Sequence, residues 1–132
     1  PASFQYALKN YPKNSFFLGN IESFLNENPT KQFEMIYCSE VIEHVLDINS
    51  FVQSISKILN NNGYLYITTP NIRHWRRPSN LTDWDGFCPP AHCQYFDTNT
   101  LKIILEKFKL RIVKKYVALK PGIKFLAKKE QI

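Results

Sequence analysis

The sequence predicts an α/β domain: a mostly parallel sheet with helices on both faces and an antiparallel hairpin at the C-terminal end. Three observations carry this. Helical and extended patterns alternate along the first hundred residues, as in chains that build parallel sheets. Two segments, around Phe51–Leu59 and Leu101–Phe108, place apolar residues at helical spacing. Near the end, two extended runs are separated by Lys120-Pro121-Gly122, turn residues suited to a hairpin.

Each element has its local reason. Phe4, Leu8 and Tyr11 recur at helical spacing before Pro12, which stops a helix. Ser15 to Leu18 is a short apolar run ending at Gly19, read as a buried strand. A brief helix is expected from Ile21 to Asn26, before Asn28-Pro29, and a strand from Phe33 to Cys38. Phe51, Ile55, Ile58 and Leu59 form one stripe, with Ser50 as the expected cap and Asn60 to Gly63 at its end. Tyr64 to Thr69 is rich in β-formers and stops at Pro70. Residues 70–97 read as a long loop holding both tryptophans, and loops of that length usually carry function. A helix capped by Thr98 or Asn99 follows, then strands over 110–119 and 123–127. In such folds the ligand groups gather at the C-terminal ends of the strands.

Composition narrows the class. At 132 residues, 44% hydrophobic and 21% charged, the chain is one domain with a modest core. Its apolar runs fall short of the roughly 20 residues that span a bilayer, so no membrane partner is expected. Three cysteines and no secretion signal favour a reducing, cytoplasmic setting. Cys88 and Cys93 flank His92 without the paired spacing of a zinc site. The net charge of +6 is concentrated between Lys107 and Lys129, which suits a solvated face or an RNA partner.

Three segments resemble the Rossmann-like S-adenosylmethionine-dependent methyltransferases, above all the ubiquinone-biosynthesis O-methyltransferase branch. They are Cys38-Ser39-Glu40-Val41-Ile42-Glu43-His44-Val45, Gly63-Tyr64-Leu65-Tyr66-Ile67-Thr68-Thr69-Pro70-Asn71, and Pro89-Pro90-Ala91-His92 with Tyr95-Phe96 and Thr100-Leu101. The resemblance implies a partial Rossmann-like methyltransferase sheet over residues 1–132, lacking the N-terminal glycine-rich loop. Its implied cofactor is S-adenosyl-L-methionine, with Asn20 and Ile21 near the adenine and Ser39 near the methionine portion. Asn20 also reads as a turn residue, and Ser39 as a helix cap. None of the four glycines lies in a cofactor-cradling loop. Without the strands that the family places between them, the strands at 15–18 and 33–38 lack neighbours. The edge is then expected to close on itself, to pair with a second chain in a dimer, or to take a complementing segment.

Glu40, Glu43 and His44 stand at i, i+3 and i+4 and would share a face if helical. Two carboxylates and an imidazole suit a divalent metal such as Mg²⁺. The resembled ubiquinone enzymes, and small-RNA 3′-end 2′-O-methyltransferases, use such a set, and His92 matches a further histidine of the RNA enzymes. The plainer reading makes the carboxylates helix-start residues. His92 also reads either as the general base or as a loop anchor, and Trp75, Trp84 and Phe87 either wall an acceptor pocket or pack the loop. The reading of first choice is methyl transfer to an oxygen or nitrogen of a small-molecule acceptor. Metal-dependent RNA 2′-O-methylation and a non-catalytic interaction module are the alternatives.

Overall fold

The computed structural model describes residues 2–131. Helices α1 (Ala2–Asn10) and α2 (Ile21–Glu27) precede strand β1 (Phe33–Ser39). A single 3-10 turn, Ile42–His44, leads to α3 (Ile48–Ile58) and β2 (Leu59–Pro70). After a second 3-10 turn at Leu81–Asp83 come α4 (Thr98–Lys107), β3 (Leu110–Lys115) and β4 (Gly122–Lys129). The strands form one sheet in the order β1-β2-β4-β3. β1 runs parallel to β2, whereas β4 is antiparallel to both its neighbours.

The α/β class and the C-terminal hairpin therefore stand, but the sheet is mixed rather than mostly parallel. The physical reason lies in residues 15–18, which do not form a strand. Leu18 is exposed, and Phe17 packs edge-on against Phe24 at 5.2 Å instead of entering the sheet. No strand beside them offers backbone partners, and an unpaired strand has no ladder to hold it. One of the three expected ways of closing the edge is thereby ruled out. Among the described residues, the outer edge of β1 pairs with no other strand.

The core lies on one face. Cys38, Leu65, Ile67, Phe125 and Ala127 point toward α3 and α4, whose Val52, Ile55, Leu101 and Leu105 are buried against them. The opposite face carries Tyr37, stacked on Tyr66 at 5.1 Å, with Tyr64 beside them, and remains open. α1 buries none of its residues, so the expected helical cover is found on a single face among the described residues. Its apolar stripe has no strand face to meet.

The caps also differ from expectation. Asp47, not Ser50, caps α3 by accepting from the Ser50 N–H at 3.0 Å. Asp97 rather than Thr98 or Asn99 caps α4, accepting from Asn99 and Thr100. In both cases a carboxylate earlier in the chain, three residues before Ser50 and one before Thr98, out-competes a neutral side chain for the orphan amides. Near the start of β2 the chain crosses Asn62 at φ 65°, the left-handed region that asparagine tolerates. A Cβ at the adjoining Gly63 would meet the Asn60 carbonyl at 2.9 Å, so only glycine lets the two backbones approach. Among the described residues, no helix is long and apolar enough to cross a membrane.

Candidate active site at the tips of the parallel strands

The parallel register of β1 and β2 sets Ser39 opposite Thr68, at the strand ends where α/β folds bind ligands. Their hydroxyls lie 2.7 Å apart, and the Thr68 hydroxyl donates to Glu40 Oε1 at 2.7 Å. Thr68 has one proton to give, so Ser39 is the donor to Thr68. The result is a directed chain, Ser39 to Thr68 to Glu40. Glu40 reaches it because its backbone sits at φ 52° and its N–H donates to the Thr68 carbonyl.

The next residue on β2 points the other way. Thr69 is fully buried and donates its hydroxyl to Glu43 Oε2 at 2.8 Å. Glu43 is 1% exposed, and its other oxygen, Oε1, has no hydrogen-bond partner among the described residues. That oxygen lies 3.8 Å from His44 Nε2. Leaving a buried carboxylate oxygen unpartnered is costly.

A segment of the long loop is pinned beside it. The backbone N–H groups of Cys93 and Gln94 both donate to the Glu43 carbonyl, at 2.8 and 3.1 Å. This brings the His92 ring to 4.7 Å from that of His44. His44 Nδ1 lies 2.7 Å from the Ala91 carbonyl, and His92 Nδ1 lies 2.9 Å from that of Gly86. A carbonyl only accepts, so both Nδ1 atoms carry the proton and both Nε2 atoms keep a free lone pair. Glu43, His44 and His92 each offer one ligand atom, all within 4.8 Å of one another. An orphaned carboxylate oxygen and two oriented imidazoles form a donor set that fits a divalent cation.

Glu40 stands apart from this group. The expected shared helical face does not form: the 3-10 turn covers only Ile42–His44, and Glu40 precedes it in the left-handed region. Its carboxylate goes to Thr68 instead. The thiols contribute nothing to the cluster. Cys38 is buried, and burial, aided by the Glu43 charge, pushes its thiol up to about 12; Cys88 and Cys93 are exposed.

An open cleft of about 800 Å³ collects these tips, with Ser39, Glu40, Thr68 and His92 in its lining. Tyr37 and Tyr66 form one wall, Trp84 another, and residues 117–124 the rim. Of the aromatic residues expected to wall a pocket, Trp84 does so, Phe87 packs against Tyr95, and Trp75 is 82% exposed. Asn20 and Ile21 line a second, shallower pocket of about 360 Å³ with Phe17, Phe24 and Met35. There the Asn20 side chain caps α2, accepting from the Ser23 N–H at 2.8 Å. The two pockets share no lining residue, but Met35 and Tyr37 belong to one each, roughly 7 Å apart along β1. The hydrogen-bonding roles of Thr68 and Thr69 are not readable from the sequence. Their strand was legible, but the register that sets them against Ser39 and Glu43 was not.

A family profile described as a methyltransferase domain matches residues 6–115. The chain belongs to the methyltransferase-domain family. Among curated relatives of this methyltransferase domain is the mitochondrial ubiquinone biosynthesis O-methyltransferase of Dictyostelium discoideum. It is 29% identical over 120 residues, covering 77% of this chain and 37% of the relative. The ubiquinone biosynthesis O-methyltransferase of Bartonella tribocorum is 36% identical over 101 residues, covering 64% of this chain and 40% of the relative. The chain thus spans less than half the length of these relatives. Two solved structures share the fold. Human N-acetylserotonin methyltransferase in complex with SAM has a TM-score of 0.70 at 14% identity, covering 99% of this chain and 39% of that one. The N-methyltransferase NodS of Bradyrhizobium japonicum, in complex with S-adenosyl-L-homocysteine, has a TM-score of 0.67 at 15% identity, covering 99% and 63%.

Proposed function

We propose that the protein transfers a methyl group from S-adenosyl-L-methionine to an oxygen of a small-molecule acceptor bound in the cleft at the tips of β1 and β2. The observation that carries this reading is the placement of the Ser39–Thr68–Glu40 chain in one cleft with His92, whose ring abuts His44. The methyltransferase family membership and the O-methyltransferase relatives support the reaction class. Ser39 would contact the methionine portion of the cofactor, and the pocket of Asn20 and Ile21 the adenine. A nitrogen acceptor is served by the same positioning, but it has less use for the cluster beside the cleft.

Glu43, His44 and His92 would hold a divalent metal such as Mg²⁺. When bound, it would favour the ionised form of an acceptor hydroxyl. The remaining work belongs to the chain. Glu40, held by Thr68, presents a carboxylate that accepts a hydrogen bond from the acceptor. Tyr37, Tyr66 and Trp84 would pack an aromatic acceptor so that its oxygen meets the methyl carbon. Transfer then depends on in-line positioning within near-attack distance.

RNA 2′-O-methylation is the second reading, favoured by the basic hairpin, whose Lys124 lines the cleft. The outer edge of β1 would be covered by a second copy or by a complementing strand. Methyl transfer from labelled S-adenosylmethionine, assayed with Mg²⁺ against a catechol and against an RNA 3′ end, tests the first two readings. Labelling of the catechol supports the first, and labelling of RNA alone replaces it with the second. Failure to label either, together with no calorimetric binding of the cofactor, leaves an interaction module.

A further inference from the structure

Two loops hold apolar side chains out in solvent beside the cleft. Trp75 is 82% exposed, Val117 85% and Leu119 73%. Single exposed apolar residues are ordinary, but a held group of them marks a binding surface.

These three are held. His74 Nε2 lies 3.0 Å from the Ala118 carbonyl, and Arg76 donates from Nη1 to the Leu119 carbonyl at 3.1 Å. The Arg76 N–H donates to His74 Nδ1 at 3.1 Å, so His74 is a neutral imidazole with its proton on Nε2. Asn71 adds a backbone bond to the Pro121 carbonyl at 3.3 Å. Trp75 sits between the two residues that make the side-chain ties. Its indole is stacked on His74 at 5.9 Å and covered by the Arg76 guanidinium at 5.0 Å. The two loops thus form one stitched platform.

Their charge has one sign. Residues 71–77 contribute Arg73, Arg76 and Arg77, residues 116–121 contribute Lys120, and neither loop contains an acidic residue. Arg76 and Lys120 are exposed, and Arg73 is paired with Asp97 at 3.2 Å. An indole with aliphatic neighbours and a cationic rim matches the boundary between lipid headgroups and acyl chains. Anionic headgroups attract such cations. A nucleic acid would use the indole and the cations but has no use for a projecting valine and leucine.

We propose that this platform docks the protein on an anionic lipid surface, with Trp75, Val117 and Leu119 in the headgroup boundary and Arg76 and Lys120 against lipid phosphates. Val117, Leu119 and Lys120 also line the cleft, so docking turns the mouth of the cleft toward the bilayer. The absence of a spanning segment bears only on crossing a membrane, and peripheral docking needs none. Vesicle binding is read without cofactor or acceptor, so the inference stands apart from the methyl-transfer reading.

The test is co-sedimentation with vesicles of phosphatidylcholine alone, or of phosphatidylcholine and phosphatidylglycerol in equal parts, with tryptophan emission as a second readout. Trp84 is 7% exposed, so a blue shift on binding reports Trp75. The expected result is binding to the anionic vesicles with a blue shift, weakened by salt. Val117→Ser/Leu119→Ser, which keeps the reporter, should weaken it by about tenfold or more at unchanged melting temperature. The proposal is overturned by failure to bind anionic vesicles or by undiminished binding in the double variant. It is equally overturned if the double variant abolishes a dimer, or the capture of an RNA oligonucleotide, in place of vesicle binding.

Discussion

The hydroxyl of Thr69 donates to Glu43 Oε2 at 2.8 Å inside the core, while Glu43 Oε1 faces the two histidines with no partner of its own. One oxygen is anchored and the other is left free. A purely structural carboxylate would satisfy both, so this asymmetry supports the proposed metal site.

Glu43→Gln separates the two roles. Removing a buried, incompletely paired charge should leave the metal-free protein as stable or more stable, by up to about 1–3 kcal/mol. Affinity for Mn²⁺, used as a probe for the divalent site, should fall by about 10-fold or more. Thermal melts and calorimetry read the two effects. A large loss of stability without any change in Mn²⁺ binding would make Glu43 a structural residue.

Thr69→Val should act in the opposite direction on stability. It keeps the shape but removes the hydrogen bond that, among the described residues, is the only one the buried carboxylate receives, at a cost of about 1–3 kcal/mol. Denaturant unfolding measures this, and a cost under a few tenths of a kcal/mol would show that Glu43 is anchored by other means.

The three thiols should react in two classes. Cys88 and Cys93 are exposed, whereas burial lifts the Cys38 thiol to about 12 from 9.0. Iodoacetamide at neutral pH should modify the first two in the native protein and Cys38 only after unfolding, as read by mass spectrometry. Because the folded value is the higher one, Cys38 contributes stability that is fully present below pH 9 and is lost as pH rises toward 12.

Asp97 supplies the acid-side counterpart. Hydrogen bonds from Thr100, backbone first and side chain second, hold its carboxyl below the usual 3.8, with Arg73 adding to the effect. The folded value is the lower one, so its contribution is present above pH 3.8 and is lost as pH falls through the folded value. Asp97→Ala should lower the melting temperature at neutral pH, and Asp97→Asn should lower it less while flattening the acid limb of the melting curve.

Much of the fold was legible in the chain, and for a local reason. The stripe of Phe51, Ile55 and Ile58 specifies α3 by spacing alone, and Tyr64 to Thr69 specifies the C-terminal half of β2 by residue type. Ser15 to Leu18 shows the limit: an apolar run becomes a strand only where another strand offers its backbone, and here none does.

The sequence by itself determined the order of the elements, the residue types at the strand tips and the family resemblance, because periodicity, turn chemistry and motif are properties of neighbours along the chain. Only the tertiary structure decided which of those residues meet. Glu40 and Glu43, three positions apart, are sent to different threonines of β2, while His92, far along the chain, is brought beside His44 by two backbone bonds to the Glu43 carbonyl. Strand register and loop docking are settled by packing and backbone pairing across long separations. No short window of sequence contains them.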